Sequence, residues 1–338
     1  MNDVERLKSY YSFDDDVLGM VQGAIDRQSG YSFKELAEKY GISSGPEHSY
    51  ISEKPIELVT FRPQTDYDER FARVLHGPHG MTTWSMVTRA MRLFEADSSS
   101  QLILLGNPSF IGNHYNLLTL KESAKVWTGD LSPTVEPHLR YLESIGVNRA
   151  HQIGFSWGAD KAAEASGSSA IEHGIEVTKG IFMEPVSVVD RGMLKLGLDF
   201  QRSGAELKRY QTASDMPKVD DKVNSSFEDI LDFVRWFGGL SRASNLAITH
   251  VLAHRNFSDR AIRALSSQPE LKATVTVAWG TQSELLPGPE ILKEVEAIKS
   301  AKYNYASRVG TILLEGMHHA GGDDIDLHTA IVLESSRL

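Results

Sequence analysis

Hydrophobic positions along the chain follow two alternating patterns, which together predict an α/β fold. From Pro55 onward, short apolar runs of strand length recur between segments with apolar residues three or four positions apart. This alternation is typical of a mostly parallel sheet with helices on both faces. The predicted strands are Ile56–Phe61, Phe71–Leu75, Gln101–Leu105, Ala150–Phe155, Val177–Met183, Ala273–Trp279 and Thr311–Leu314.

Helices are predicted wherever the apolar positions repeat with a helical period. The gap between Met183 and Ala273 is too long for a loop in a compact domain, and part of it, Phe227–Trp236, has helical spacing. We therefore predict a core over residues 55–186 and 269–338, interrupted by a helical lid over residues 187–268. The predicted core and flanking helices are Thr82–Ala96, Thr134–Ile145, Gly158–Ala165, Phe257–Ser266 and Glu290–Lys299.

Residues 1–54 are polar and favour helix, which predicts an N-terminal helical extension. Within it, Phe33–Ser43 is an amphipathic turn that resembles the first half of a helix-turn-helix. The following Ser44–His48 segment contains Gly and Pro where a recognition helix should begin. An ordinary helix packed on the core is therefore the favoured interpretation.

Charge and composition narrow the function classes. Among 338 residues, 35 Lys and Arg stand against 45 Asp and Glu, a formal net charge of −10 that argues against a general nucleic-acid binder. The absence of cysteine excludes disulfides, a thiol nucleophile and Cys-ligated metals. The first residues carry acid where a secretory signal carries base, and no run of about 18 apolar residues occurs. We expect a cytoplasmic protein that does not bind membranes; the oligomeric state is left open.

Residues 154–158 form the most informative motif, Gly-Phe-Ser-Trp-Gly, between a predicted strand and a predicted helix. A tight strand-to-helix turn needs glycine on both sides, and it lifts Ser156 to the N-terminus of the helix. The free N–H groups there favour a developing oxyanion. Ser156 is therefore a candidate nucleophile.

With this motif in place, the chain from about Pro55 to its C-terminus resembles the α/β-hydrolase family. Several family landmarks occur in the expected order, which is far more specific than any one of them. The matching segments are His76-Gly77, Leu102–Pro108, Gly180–Pro185, Val275–Gly280 and Leu313–His319. The resemblance implies an α/β-hydrolase fold with a serine, histidine and acid triad.

The resemblance assigns the histidine to the loop after the last strand. Aligning residues 316–319 with the family's Gly-x-Gly-His puts the base at His319, with the adjacent His318 as the alternative. A serine hydroxyl needs such a neutral imidazole within hydrogen-bond reach to take its proton.

The acid departs from the family pattern. The slot three residues after Gly280 holds Ser283, and Glu284 follows it. Glu284 is the first choice because a loop can shift by one residue. Glu184, at the end of an earlier strand where some hydrolases have their acid, is the alternative. Asp323 and Asp324 are interpreted as solvated loop charges.

The oxyanion hole also departs from the pattern. The backbone N–H of Trp157 is the first expected donor. The family's second donor follows His-Gly, where this chain has Pro78, which has no N–H. His79 is then the nearest candidate.

A metal or cofactor is not expected. The segment from His318 to His328 gathers potential ligands, but no His-Glu-x-x-His motif or second ligand cluster accompanies it. No Gly-rich nucleotide motif follows a strand.

These observations predict a serine hydrolase that acts on a small-molecule acyl substrate, such as a carboxylic ester, through an acyl-enzyme. Amide, thioester and carbon–carbon cleavage use the same groups. Related dehalogenases and epoxide hydrolases have Asp at the nucleophile position, so Ser156 argues against an alkyl-enzyme. The alternative, supported by Ser283 and Pro78, is a hydrolase-fold protein that has lost catalysis and acts in binding or structure.

Overall fold

The computed structural model describes residues 3–42, 47–49, 56–77, 84–106, 118–211, 243–267, 273–301 and 308–338. Its centre is an eight-stranded sheet with the order β1-β2-β4-β3-β5-β6-β7-β8. The strands are β1 (Glu47–Ser49), β2 (Ile56–Phe61), β3 (Phe71–His76), β4 (Gln101–Leu105), β5 (Arg149–Phe155), β6 (Glu176–Met183), β7 (Thr274–Gly280) and β8 (Val309–Leu314).

The sheet is mostly parallel, as its apolar runs predict. β1 pairs antiparallel with β2, and β2 pairs antiparallel with β4. The remaining pairs, from β4 through β3 to β8, are parallel. All seven predicted strands are confirmed, since each differs from its predicted ends by at most two residues.

The chain reverses its direction of travel across the sheet next to β3. It passes from β3 to β4 on one side and then returns to β5 on the other side. In an open parallel sheet, such a reversal leaves a crevice at the carboxyl ends of the two strands, where ligands commonly bind. In this chain the crevice adjoins His76, at the end of β3, and Phe155, at the end of β5.

Helices cover both faces of the sheet. The helices before the lid are α1 (Asp3–Leu7), α2 (Asp15–Gln28), α3 (Phe33–Lys39), α4 (Trp84–Ala96), α5 (Leu120–Trp127), α6 (Ser132–Ser144), α7 (Trp157–Ala165) and α8 (Ser168–Glu172). The segment predicted as a lid contains α9 (Met193–Gln211), α10 (Ala243–Leu252) and α11 (Phe257–Ser267), and it is followed by α12 (Gly288–Lys299) and α13 (Ile325–Arg337). Among the described helices, none is both long enough and apolar enough to cross a membrane.

The N-terminal extension packs on one face of the core. α2 contacts α4 and α13, and the extension buries Leu7, Val17 and Leu36 completely. α3 begins with a capping box in which Ser32 and Glu35 each bond the other's backbone N–H. The extension is not purely helical, because residues 47–49 form β1 at the edge of the sheet.

The segment predicted as a lid contributes to more than one layer. α11 packs against α7 and α12, as a sheet-covering helix does, and α10 packs against α5. α9 packs against the loop that follows β8. The helix predicted at 227–236 lies outside the described residues.

Candidate active site

Ser156 lies in a strained turn between β5 and α7. Its φ of 56° and ψ of −128° are rare for a residue with a side chain. The flanking glycines are required by close packing: a Cβ at Gly154 would come within 2.1 Å of the carbonyl oxygen of Gly158. A Cβ at Gly158 would come within 2.2 Å of the carbonyl oxygen of His76. The turn therefore presents Ser156 in the crevice between β3 and β5.

His319, which is 163 residues away in the sequence, lies in contact with Ser156. It begins a short 3-10 helix, His319–Asp323, between β8 and α13. Its Nε2 lies 2.9 Å from the Ser156 Oγ, and its ring stacks on Phe155 with centroids 5.4 Å apart. Both side chains are buried, so water is largely excluded from this contact.

Glu184 completes a chain of hydrogen bonds. It directly follows β6, and its Oε2 lies 2.9 Å from the Nδ1 of His319. The carboxylate can only accept, so Nδ1 carries the proton and Nε2 is left to accept from the serine hydroxyl. Glu184 also has a positive φ, 52°, and its N–H donates to the carbonyl of Ala278 at 2.8 Å.

Two further groups donate to the Glu184 carboxylate. The N–H of Gly280 donates to Oε1 at 2.5 Å, and the Ser283 hydroxyl donates to Oε2 at 2.5 Å. Such bonds fix the orientation of a carboxylate. Ser283 occupies the position at which the resemblance to the α/β-hydrolase family predicts the acid, and its hydroxyl bonds the Glu184 carboxylate instead. The signal in the sequence that points to Glu184 is a hydroxyl residue, Ser283, where the family has its acid, together with a glutamate directly after β6.

Glu284, the first choice from sequence, lies beside the other histidine. Its Oε1 is 2.5 Å from the Nδ1 of His318, and both side chains are one-fifth exposed. The backbone N–H of His318 donates to the Tyr210 hydroxyl at 2.9 Å. Adjacent residues point their side chains in different directions, so a shift of one residue brings Glu284 to His318 and not to His319. The structure thus corrects the expected pairing of Glu284 with His319.

The acids after the histidines are held in ion pairs and largely buried, whereas the sequence predicts solvated loop charges. Asp324 is fully buried and pairs with Arg6, while Asp323 pairs with Arg89. Asp326 is also fully buried, with its Oδ1 3.2 Å from the Nε of Arg92. Arginine side chains neutralise these acids, which is how buried carboxylates are tolerated. Within the described ranges, no group of three or more potential ligands is arranged to hold a metal ion.

The expected oxyanion donors can be located only in part. Trp157 is the first residue of α7, so its backbone N–H belongs to the free N-terminal turn beside Ser156. Pro78 and His79 lie outside the described residues.

A second cluster of buried polar side chains lies beneath the turn. It consists of His76 at the end of β3, His138 in α6 and Lys161 in α7. Burial lowers the pKa of Lys161 to about 7, and burial with the nearby Lys161 charge lowers the pKa of His76 to about 3. The same two causes lower the pKa of His138. Within the described part of the chain, the Lys161 ammonium has no hydrogen-bond partner.

Comparisons with known proteins give a structural likeness only. No family model matches the sequence, and no curated protein matches it. The haloalkane dehalogenase DbeA from Bradyrhizobium elkani USDA94 is similar in structure, with a TM-score of 0.51 and 12% identity over 87% of this chain and 99% of that chain. A deformylase from Pseudomonas putida S16 has a TM-score of 0.51 and 10% identity over 85% and 100%. These proteins are hydrolases of different kinds, and the chain shares with them the α/β-hydrolase fold.

Proposed function

We propose that the chain is a serine hydrolase that cleaves a carboxylic ester or a related acyl bond through an acyl-enzyme. One observation carries the proposal: an unbroken hydrogen-bond chain runs from Glu184 through His319 to Ser156, with both distances at 2.9 Å. This is the arrangement that turns a weak hydroxyl nucleophile into a reactive one.

The proposed reaction divides the work among these three side chains. Ser156 attacks the substrate carbonyl while His319 takes the serine proton at Nε2. His319 then gives that proton to the leaving group, and the acyl group stays on Ser156 until water removes it by the same steps. Glu184 holds the imidazole in the tautomer with the proton on Nδ1 and stabilises the imidazolium that forms.

Charge that develops on the carbonyl oxygen needs donors close to Ser156. The Trp157 N–H at the start of α7 is the proposed first donor, and His79 remains the proposed second donor. An acyl substrate is proposed because related dehalogenases, which form an alkyl-enzyme, have Asp at the position that Ser156 occupies in this chain. The structurally similar dehalogenase therefore does not imply dehalogenation by this chain.

Fluorophosphonate labelling tests the proposal directly, because the probe phosphonylates activated serines. We expect rapid modification of Ser156 in the wild type, none in Ser156→Ala, and full labelling in Ser166→Ala, whose buried hydroxyl bonds the carbonyl of Ala162. Turnover of short and medium acyl esters should fall by about 10³- to 10⁶-fold in Ser156→Ala. A folded wild type that is inert to the probe and to every ester would favour the alternative of a binding protein.

A further inference from the structure

The N-terminal extension is fastened to the chain on both sides of His319. The carbonyl of Tyr10 accepts a hydrogen bond from the N–H of Glu315 at 2.8 Å, before the histidine. The Arg6 guanidinium pairs with both carboxylate oxygens of Asp324, after the histidine. Residues 6 and 10 thus hold the two ends of a segment whose middle carries the imidazole.

The Arg6 attachment lies in a buried setting. The Asp324 side chain has no exposed surface, and that of Arg6 is 14% exposed. The second Arg6 nitrogen also lies 3.7 Å from Asp326, which is buried as well. Charges paired away from water hold their geometry, because separating them leaves an uncompensated buried charge. This contact is therefore a rigid anchor and not a loose surface ion pair.

Asp324 transmits this anchor to the histidine turn. Its N–H donates to the carbonyl of Gly321 at 3.0 Å, and the N–H of Gly321 donates to the carbonyl of His318 at 2.9 Å. Its carboxylate also caps α13 by accepting from the N–H of Leu327 at 3.1 Å. Moving Asp324 would therefore move the 3-10 turn relative to α13.

Little space exists for the turn to move without disturbing the imidazole. A Cβ at Gly322 would come within 2.1 Å of the Phe155 ring, on which His319 stacks. The Arg89 guanidinium, which pairs with Asp323, lies 5.5 Å from the centre of the same ring. The turn and its aromatic support are in direct contact, so a displacement at Asp324 reaches His319.

We propose that Arg6 is a positioning residue for His319, and that the N-terminal extension is a working part of the active site. The inference rests on the proposed function, since it is the general-base role of His319 that Arg6 supports. The extension would then serve to position His319, a role that the sequence of residues 1–54 does not predict.

The test compares variants that break two different attachments of the same extension. Arg6→Gln removes the charge next to the histidine turn, and Arg6→Lys keeps it. Arg337→Gln is the matched control, because Arg337 pairs with Asp14 at 3.0 Å and Asp16 at 3.2 Å at the far end of α13. We expect Arg6→Gln to lower kcat by about 10- to 100-fold with little change in KM, Arg6→Lys to restore part of it, and Arg337→Gln to leave kcat unchanged.

A spectroscopic readout separates this proposal from the proposed function. The proton between His319 Nδ1 and Glu184 should give a far-downfield NMR signal that disappears in His319→Ala. We expect Arg6→Gln to shift or broaden this signal and Arg337→Gln to leave it unchanged. If the wild type neither labels nor turns over esters, the hydrolase proposal fails, but the signal still reports on Arg6.

The result that would overturn the inference is an Arg6→Gln protein with wild-type kcat and an unchanged signal. If loss of Arg6 alone prevents folding, the double variant Arg6→Gln/Asp324→Asn removes both buried charges and keeps a side chain able to cap α13. The same loss of kcat and the same change in the signal are expected there, and wild-type values in the double variant would equally overturn the inference.

Discussion

At the scale of single residues, strain is concentrated in the site. Ser156 and Glu184 are the non-glycine residues with positive φ in the described ranges. They directly follow β5 and β6, whose last residues, Phe155 and Met183, pair with each other. Each such conformation costs about 1–3 kcal/mol and persists only where the surrounding structure enforces it. Placing these two side chains next to His319 therefore lowers the stability of the fold.

The clearest residue-level prediction compares Glu184, which bonds His319, with Glu284, which bonds the adjacent His318. Glu184→Gln should lower kcat/KM by about 10⁴-fold, because the amide keeps the shape but favours the wrong imidazole tautomer. Glu284→Gln, the matched change next to His318, should have little effect. Steady-state kinetics on both purified variants measures the difference, which corresponds to about 5 kcal/mol.

The reverse outcome would move the acid role to Glu284. In that case His318 would have to be the base, since Glu284 lies 2.5 Å from its Nδ1. Circular dichroism on each variant controls for folding. If both variants stay active, hydrolysis does not require a carboxylate hydrogen-bonded to the imidazole.

The same residues show how far sequence leads at this scale. Ser156 could be proposed as the nucleophile because its motif encodes a local turn, and His319 could be proposed as the base because its loop follows the last strand. The partner of His319 could not be chosen, because Glu184 and Ser283 are far apart in sequence and meet only where β6 and β7 end side by side. Local spacing carries no information about that contact.

At the scale of elements, the hydrophobic pattern predicts strands well because buried parallel strands are apolar runs. It does not predict β1 or α5, since β1 is only three residues long and α5 buries only Ser123 and Val126 among its eight residues. It also assigns α11 to the lid, although α11 packs on α7. The period of a helix indicates which face is buried and not which partner buries it.

Close packing between elements leads to a prediction for two glycines. Gly158→Ala should disrupt the turn, because its Cβ would meet the backbone of His76 at 2.2 Å, and neither β3 nor α7 can easily shift. Gly19→Ala, in the exposed face of α2, meets nothing within 4 Å and should stabilise the protein by about 0.5–1 kcal/mol. Urea unfolding measures both changes. A Gly158→Ala protein as stable as the wild type would show that the turn and β3 are packed less tightly than the 2.2 Å approach indicates.

At the scale of the whole molecule, the buried charges are the feature that composition hides. The formal net charge of −10 suggests an ordinary acidic surface, yet several arginines are buried against acids. Arg260 pairs with Asp160 and Arg191 with Asp199, each with both side chains nearly inaccessible. Sequence could not identify these charges as internal, because each pair joins residues that only the fold brings together or buries.

Lys161 differs from these paired groups, and its effect on stability should depend on pH. Burial lowers its pKa to about 7, whereas an unfolded lysine has a pKa of about 10.4. Between these values the unfolded chain binds more protons than the folded one, so this group makes stability rise as pH increases from about 7 to about 10. Below about pH 7 the folded protein bears the full cost of a buried ammonium.

Replacing this lysine by methionine should therefore stabilise the protein most at low pH. Lys161→Met keeps an unbranched apolar side chain and removes the charge, so we expect its free energy of unfolding to exceed that of the wild type by at least about 1 kcal/mol near pH 6. The difference should shrink steadily toward pH 10, because the folded lysine is already neutral above about pH 7 and deprotonating the unfolded lysine costs less as the pH approaches its pKa of about 10.4. Lys121→Met, at an exposed position in α5, should show neither effect. Denaturant unfolding of the three proteins across this pH range measures the differences. A Lys161→Met protein that is less stable than the wild type below pH 7 would mean that the ammonium is stabilised in the folded state.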